Sequence, residues 1–187
     1  ESYFANGYLL LEKVLSDDWI ERLRQATDEK INESRSIIES NAVWDIEDGH
    51  TSENPRLRRL SSPNDHHPTY WEYASKSVVP DIIADLVGPD VKFHHSKLNF
   101  KWAHGGEEVK WHQDIQFWPH TNYSPATVGT YIEDCGPDQG PLGVIAESHK
   151  DDLFDEYNAD GVWVGCLSDA DVQTIDPAKI KYLPGPA

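Results

Sequence analysis

The sequence predicts an α+β fold in which N-terminal helices brace one face of an antiparallel sheet or barrel. Apolar residues recur at helical spacing up to about residue 88, and short β-branched and aromatic runs broken by Gly, Pro and Asn follow from about residue 91. The length of 187 residues is that of one ordinary domain, so both parts are expected to form a single domain over 1–187.

Each element has a local cause. Ser16 before Asp17 and Asp18 supplies an N-cap oxygen and negative charge for the first turn of a helix. Trp19, Ile20, Leu23 and Ala26 then share one face, opposite Glu21, Arg22, Arg24, Asp28 and Glu29, and the pattern continues less cleanly to about Ile38. That face is expected to be core. From Asn41 to Pro68 the chain is rich in Ser, Asn, Asp and Pro, which predicts a long irregular segment. His66 and His67 in it are expected to be exposed loop residues, because adjacent side chains of an extended chain diverge and do not share a metal. Thr69 to Val87 predicts one or two short helices interrupted near Pro80 and ended by Gly88-Pro89. Val91, Phe93, Leu98, Phe100, Trp102, Val109, Trp111, Ile115, Phe117, Val128, Tyr131, Ile132, Leu142, Val144 and Ile145 form the strand pattern that follows.

The composition excludes several classes of function. A formal net charge of -17, from 33 acidic and 16 basic residues, repels a phosphate backbone and an anionic membrane surface. Nucleic-acid and membrane partners are therefore not expected. No apolar run has the length of a membrane span and no basic segment leads into an apolar one, so a soluble, cytoplasmic protein is expected. Cys135 and Cys166 have neither disulfide-scaffold nor zinc spacing and are expected to be small buried residues.

The chemistry concentrates in Val109-Lys110-Trp111-His112-Gln113-Asp114-Ile115. Residues two apart on a strand share a face, so His112 and Asp114 project an imidazole and a carboxylate to one side, a geometry that holds a divalent metal. His-x-Asp is short enough to arise by chance, and it occurs again at His149-Lys150-Asp151. The first copy is flanked by Trp111, Ile115, Phe117 and Trp118, which exclude water from a reactive metal, whereas the second lies in a charged turn. Arg56, Arg58 and Arg59 form a basic stretch, expected to be a solvated turn and able to meet an anion.

Trp111-His112-Gln113-Asp114, Gly140-Pro141-Leu142-Gly143-Val144-Ile145 with Ser148-His149-Lys150, and Phe4-Ala5-Asn6-Gly7-Tyr8 together resemble the phytanoyl-CoA dioxygenase family of Fe(II)- and 2-oxoglutarate-dependent oxygenases. The resemblance implies a double-stranded β-helix of the cupin-like jelly-roll type with N-terminal supporting helices. It implies iron held by His112 and Asp114, with no ligand from the Ser-His-Lys stretch, and a Lys in the preceding strand that contacts 2-oxoglutarate, here Lys101. The implied outcome is hydroxylation of a small-molecule substrate. The family also uses a distal His and a later Arg, but no His follows His149 and no Arg follows Arg59. The chain ends on Gly185-Pro186-Ala187, similar to the turn before that distal His, so a fragment lacking its C-terminal part is expected, with weak iron retention and self-association through unpaired strands. Glu147 stands where relatives often carry Gly, so a local difference in the turn is expected. Two other classes stay open on the residues: a non-catalytic cupin-like binding or structural protein, and a metal-independent jelly-roll enzyme such as a sugar-nucleotide isomerase.

Overall fold

The first amides of a helix need acceptors from outside it, and Ser16 Oγ supplies one to Trp19 N–H at 3.4 Å. The computed structural model describes residues 1–103, 105–106, 108–118 and 122–185. In chain order the elements are α1 (Ser2–Asn6), α2 (Asp17–Ser34), β1 (Trp44–Ile46), β2 (Leu57–Ser61), α3 (Pro63–His66), α4 (Pro68–Lys76), α5 (Val79–Val87), β3 (Lys97–Asn99), β4 (Leu142–Ile145), α6 (Asp169–Thr174) and β5 (Ile180–Leu183). Single 3-10 turns lie at Asp114–Phe117, Ser148–Lys150 and Pro177–Lys179. No helix among the described residues is long and apolar enough to cross a membrane. The chain divides into two compact units, one helix-rich (Lys13–Glu107 and Thr130–Cys135) and one carrying the His-x-Asp motifs (Glu1–Glu12, Glu108–Gly129 and Gly136–Gly185).

In the helix-rich unit, α2 buries Ile20, Leu23 and Ala26 as the spacing predicts. Trp19 is only half-buried and carries the Arg22 guanidinium over its ring at 4.4 Å. The helix stops at Ser34 rather than near Ile38. Ser34 Oγ donates to the Ile31 carbonyl at 2.7 Å and Ser36 Oγ to that of Glu33 at 2.9 Å, so side chains take up the final carbonyls. Leu23, Ala26 and Tyr70 form the core cluster, with Tyr73, Leu98 and Ile132 against it. Burial pushes the Tyr70 phenol above its usual pKa, and its hydroxyl meets Thr27 Oγ1 at 3.0 Å.

The segment expected to be irregular, Asn41 to Pro68, contains the hairpin β1–β2, and β2 pairs in turn with β3 in a three-stranded antiparallel sheet. Trp44 faces Leu60 and Asp45 faces Arg59, but Ile46 faces Leu57, so one residue bulges out of β2. The bulge returns Leu57 to the face of Leu60, and both are 0% exposed. The arginines flanking it are not a solvated turn. Arg56 pairs with buried Glu47 and Arg58 with Asp45, each at 3.0 Å. His67 is likewise not a free loop residue: Nδ1 accepts from Thr69 N–H at 3.2 Å, capping α4, and Nε2 meets Glu29 at 3.2 Å. Helices α4 and α5 match the expected pair, with Pro80 in the first turn of α5 and Gly88 closing it.

In the motif-bearing unit, β4 and β5 form a two-stranded antiparallel sheet. Of the strand pattern from Val91 to Ile145, only β3 and β4 form ladders among the described residues. Strand propensity measures fit to a pleated, half-buried surface and does not supply a partner. Cys135 and Cys166 are half-buried rather than buried. Glu147 adopts the left-handed conformation, with φ 70, in the turn after β4. Its amide donates to the Asn6 carbonyl at 2.7 Å, and its carboxylate lies 3.6 Å from Lys179 Nζ.

Two stability outcomes are expected in chemical denaturation. Leu60→Ala costs about 2–5 kcal/mol, whereas Ile38→Ala, at a side chain 92% exposed, leaves the midpoint unchanged. Glu147→Gly holds or raises stability, whereas Glu147→Val, a β-branched residue forced to positive φ, loses about 1–2 kcal/mol.

Candidate metal centre

The strand expected at Val109–Ile115 is replaced by extended chain running into a 3-10 turn. Gln113 is extended (φ -116, ψ 109) and Asp114 opens the turn Asp114–Phe117. The turn closes because Gln116 N–H donates to the Gln113 carbonyl at 3.0 Å. Gln113 Oε1 accepts from Gln116 Nε2 at 3.1 Å and from Phe154 N–H at 2.8 Å, so a distant segment braces the turn.

The two predicted ligands nevertheless meet. His112 Nε2 lies 3.2 Å from Asp114 Oδ1, and both side chains are half-buried. His112 Nδ1 lies 2.7 Å from the Lys110 carbonyl, which can only accept, so Nδ1 carries a proton and Nε2 is the nitrogen that faces the carboxylate. Asp114 Oδ2 accepts from Thr127 Oγ1 at 2.7 Å, which turns Oδ1 toward the ring. Two electron-pair donors so placed need a proton or a cation between them. Donors held at right angles by a divalent ion, each at about 2.1 Å, stand about 3.0 Å apart, so the pair fits one face of such an ion.

An aromatic wall stands beside the pair. Phe117 meets the His112 ring edge-on with centroids 5.4 Å apart and Trp163 at 4.9 Å. Trp111 packs on Gly143 of β4 so closely that a Cβ there would lie 2.7 Å from its ring. Its carbonyl accepts from Leu167 N–H at 2.8 Å. Among the described residues no group of three His, Cys, Asp or Glu converges on one point.

The other sequence candidates fall elsewhere. His149 Nε2–H donates to the Phe4 carbonyl at 3.1 Å and Lys150 Nζ to that of Ala5 at 2.6 Å, so the second His-x-Asp clasps α1. Gly7, in the left-handed conformation at the end of α1, lies against the His149 ring, where a Cβ would stand 2.3 Å from Nδ1. Lys101 belongs to the helix-rich unit, where it is exposed and follows β3 rather than lying in a strand. Pro186 and Ala187 of the terminal turn lie outside the described residues. Two residues that sequence reasoning missed are Thr127 and Glu156. Glu156 is fully buried, and its Oε1 accepts the Gln113 N–H at 2.7 Å. Neither sits at a spacing that would have marked it.

Residues 3–176 match the model of a family described as phytanoyl-CoA dioxygenase (PhyH). The chain belongs to the phytanoyl-CoA dioxygenase family. Members are Fe(II)- and 2-oxoglutarate-dependent dioxygenases. The chain is 24% identical to a "Probable alpha-ketoglutarate-dependent hypophosphite dioxygenase" of Stutzerimonas stutzeri, over 98% of this chain and 65% of that protein. It is 24% identical to the ectoine dioxygenase of Sphingopyxis alaskensis, over 80% of this chain and 48% of that protein. It is 26% identical to the L-proline trans-4-hydroxylase of Streptomyces griseoviridis, over 82% of this chain and 55% of that protein. Its fold is similar to the crystal structure of EctD from S. alaskensis with bound Fe, with a TM-score of 0.74 and 21% identity, over 99% of this chain and 63% of that one. The chain thus spans about half to two-thirds the length of these relatives.

The seat of Trp111 gives a direct check on the local geometry. Gly143→Ala, which forces the indole off β4, is expected to cost about 1–3 kcal/mol and to shift the tryptophan fluorescence toward the exposed form.

Proposed function

We propose that this family member uses His112 and Asp114 as iron ligands of an Fe(II)- and 2-oxoglutarate-dependent dioxygenase that hydroxylates a small molecule. In this reading both compact units belong to one oxygenase domain, and the strands belong to a double-stranded β-helix. The observation that carries it is the convergence of His112 Nε2 and Asp114 Oδ1 at 3.2 Å, with Nδ1 and Oδ2 each hydrogen-bonded to a neighbour. Lys101 is the proposed contact for a 2-oxoglutarate carboxylate, an ammonium being a fit partner for that group.

Iron with 2-oxoglutarate and O2 supplies the oxidising chemistry when bound. This chain's residues supply the rest. His112 turns Nε2 toward the site because Nδ1–H is engaged by Lys110 O, and Asp114 offers an oxygen that Thr127 orients. Phe117, Trp163 and Trp111 present apolar surface beside the pair, although Phe117 and Trp163 are themselves exposed. The relatives are named for hypophosphite, ectoine and proline, which are different small molecules, so the proposal commits to hydroxylation and not to one substrate. Arg56 and Arg58 do not serve as an anion clamp in it, because Glu47 and Asp45 already occupy them.

Mn(II), a paramagnetic stand-in for Fe(II), tests the ligands even where affinity is low. Substoichiometric Mn(II) is expected to broaden the amide resonances of residues 110–118 and 127 first, and His112→Ala to abolish that pattern. Thr127→Val, at an exposed side chain, weakens the effect about tenfold without changing stability. Broadening spread equally over surface carboxylates, and indifferent to His112→Ala, contradicts the assignment.

A further inference from the structure

Glu156 occupies a position that fold stability alone explains poorly. It is 0% exposed, and its Oε2 is buried with no hydrogen-bond partner among the described residues. A carboxylate stripped of water without an ion-pair partner is costly, and an apolar residue or an amide would fill the same space with less penalty. The other oxygen, Oε1, accepts the N–H of Gln113, the residue between the two candidate iron ligands, at 2.7 Å.

The platform beneath Glu156 is rigid. Val164 N–H donates to the Glu156 carbonyl at 2.8 Å, Asn158 N–H to the Val162 carbonyl at 2.9 Å, and Tyr157 bridges Trp163. Gly161 takes the positive φ of 72 that this tight reversal requires. The same segment grips the Gln113 side chain, through Phe154 N–H to Oε1 at 2.8 Å, and the Gln116 amide, which donates to Phe154 O at 3.0 Å. The N–H of Gln113 belongs to the planar peptide that joins it to His112, so a held direction for that N–H restrains the torsions beside it and the direction in which His112 leaves the chain, while the turn closed by Gln116 N–H on the Gln113 carbonyl holds Asp114.

We infer that Glu156 is a positioning residue of the metal centre: its carboxylate holds the Gln113 peptide so that His112 and Asp114 converge before any ion arrives. The inference rests on the assignment of those two residues as ligands. A charge-assisted bond to a backbone amide is stronger than a neutral one, which gives a reason for a carboxylate at this place.

The test uses the whole chain with Mn(II) as the probe and hydrogen exchange of the Gln113 amide as the second readout. Glu156→Gln keeps an acceptor, so it retains protection of the Gln113 N–H and Mn(II) affinity within about threefold of wild type. Glu156→Ala, folded by circular dichroism, loses that protection and binds Mn(II) about tenfold or more weakly. If the alanine variant fails to fold, Glu156→Leu replaces it with the same expectations, since it fills the volume without an acceptor. Wild-type affinity in a folded chain lacking the acceptor overturns the inference. So does loss of affinity in Glu156→Gln while the Gln113 amide stays protected, and so does unfolding of both apolar variants, which makes Glu156 a folding residue only. His112→Ala separates the two levels: if it binds Mn(II) as wild type does, the ligand assignment fails, while Gln113 protection still reports whether the Glu156 bond exists.

Discussion

A histidine ring has two nitrogens and a carboxylate two oxygens, and this centre depends on one of each being hydrogen-bonded to a neighbour. The Lys110 carbonyl accepts a hydrogen bond from His112 Nδ1–H, and Thr127 donates to Asp114 Oδ2. The remaining pair, Nε2 and Oδ1, then faces inward across 3.2 Å. A carbonyl cannot donate and a carboxylate does not by itself prefer one oxygen, so the outer partners decide which atoms are presented. Extended chain at Gln113 and the 3-10 turn that starts at Asp114 bring these atoms together without a strand.

The surroundings of the motif serve the same constraint. Trp111 sits on Gly143, and Phe117 stacks edge-on with both His112 and Trp163, so residues on either side of His112 and Asp114 are held by packing. The turn after β4 is tied back to α1 by the Glu147 amide, His149 and Lys150, all of which engage carbonyls of Phe4, Ala5 or Asn6. The second His-x-Asp thus has a structural role in this chain.

What was legible in the sequence was local. The start of α2 follows from Ser16 and two acids, its buried face from the spacing of Ile20, Leu23 and Ala26, and the break between α4 and α5 from Pro80. The hairpin β1–β2 was hidden because polar turn residues surround it and because its bulge breaks the two-residue alternation that marks a strand. The strand pattern after Asp90 was over-read, since β-branched and aromatic residues fit extended chain whether or not a ladder partner lies alongside. His112 and Asp114 were found by their spacing, although a turn and not a strand brings them together. Thr127 and Glu156 lie 13 and 43 residues from the groups they hold, and no periodicity reaches that far.

In the proposed reading, His112, with a proton on Nδ1, presents Nε2 together with one oxygen of Asp114 to a divalent ion. Long-range proton–nitrogen spectra of the histidine rings, recorded with and without diamagnetic Zn(II), test it most directly. The account predicts that His112 carries its proton on Nδ1 in the metal-free chain and that its Nε2 resonance moves on adding the ion. An Nε2-protonated ring, or an Nε2 resonance that ignores the metal while other histidines respond, would contradict it.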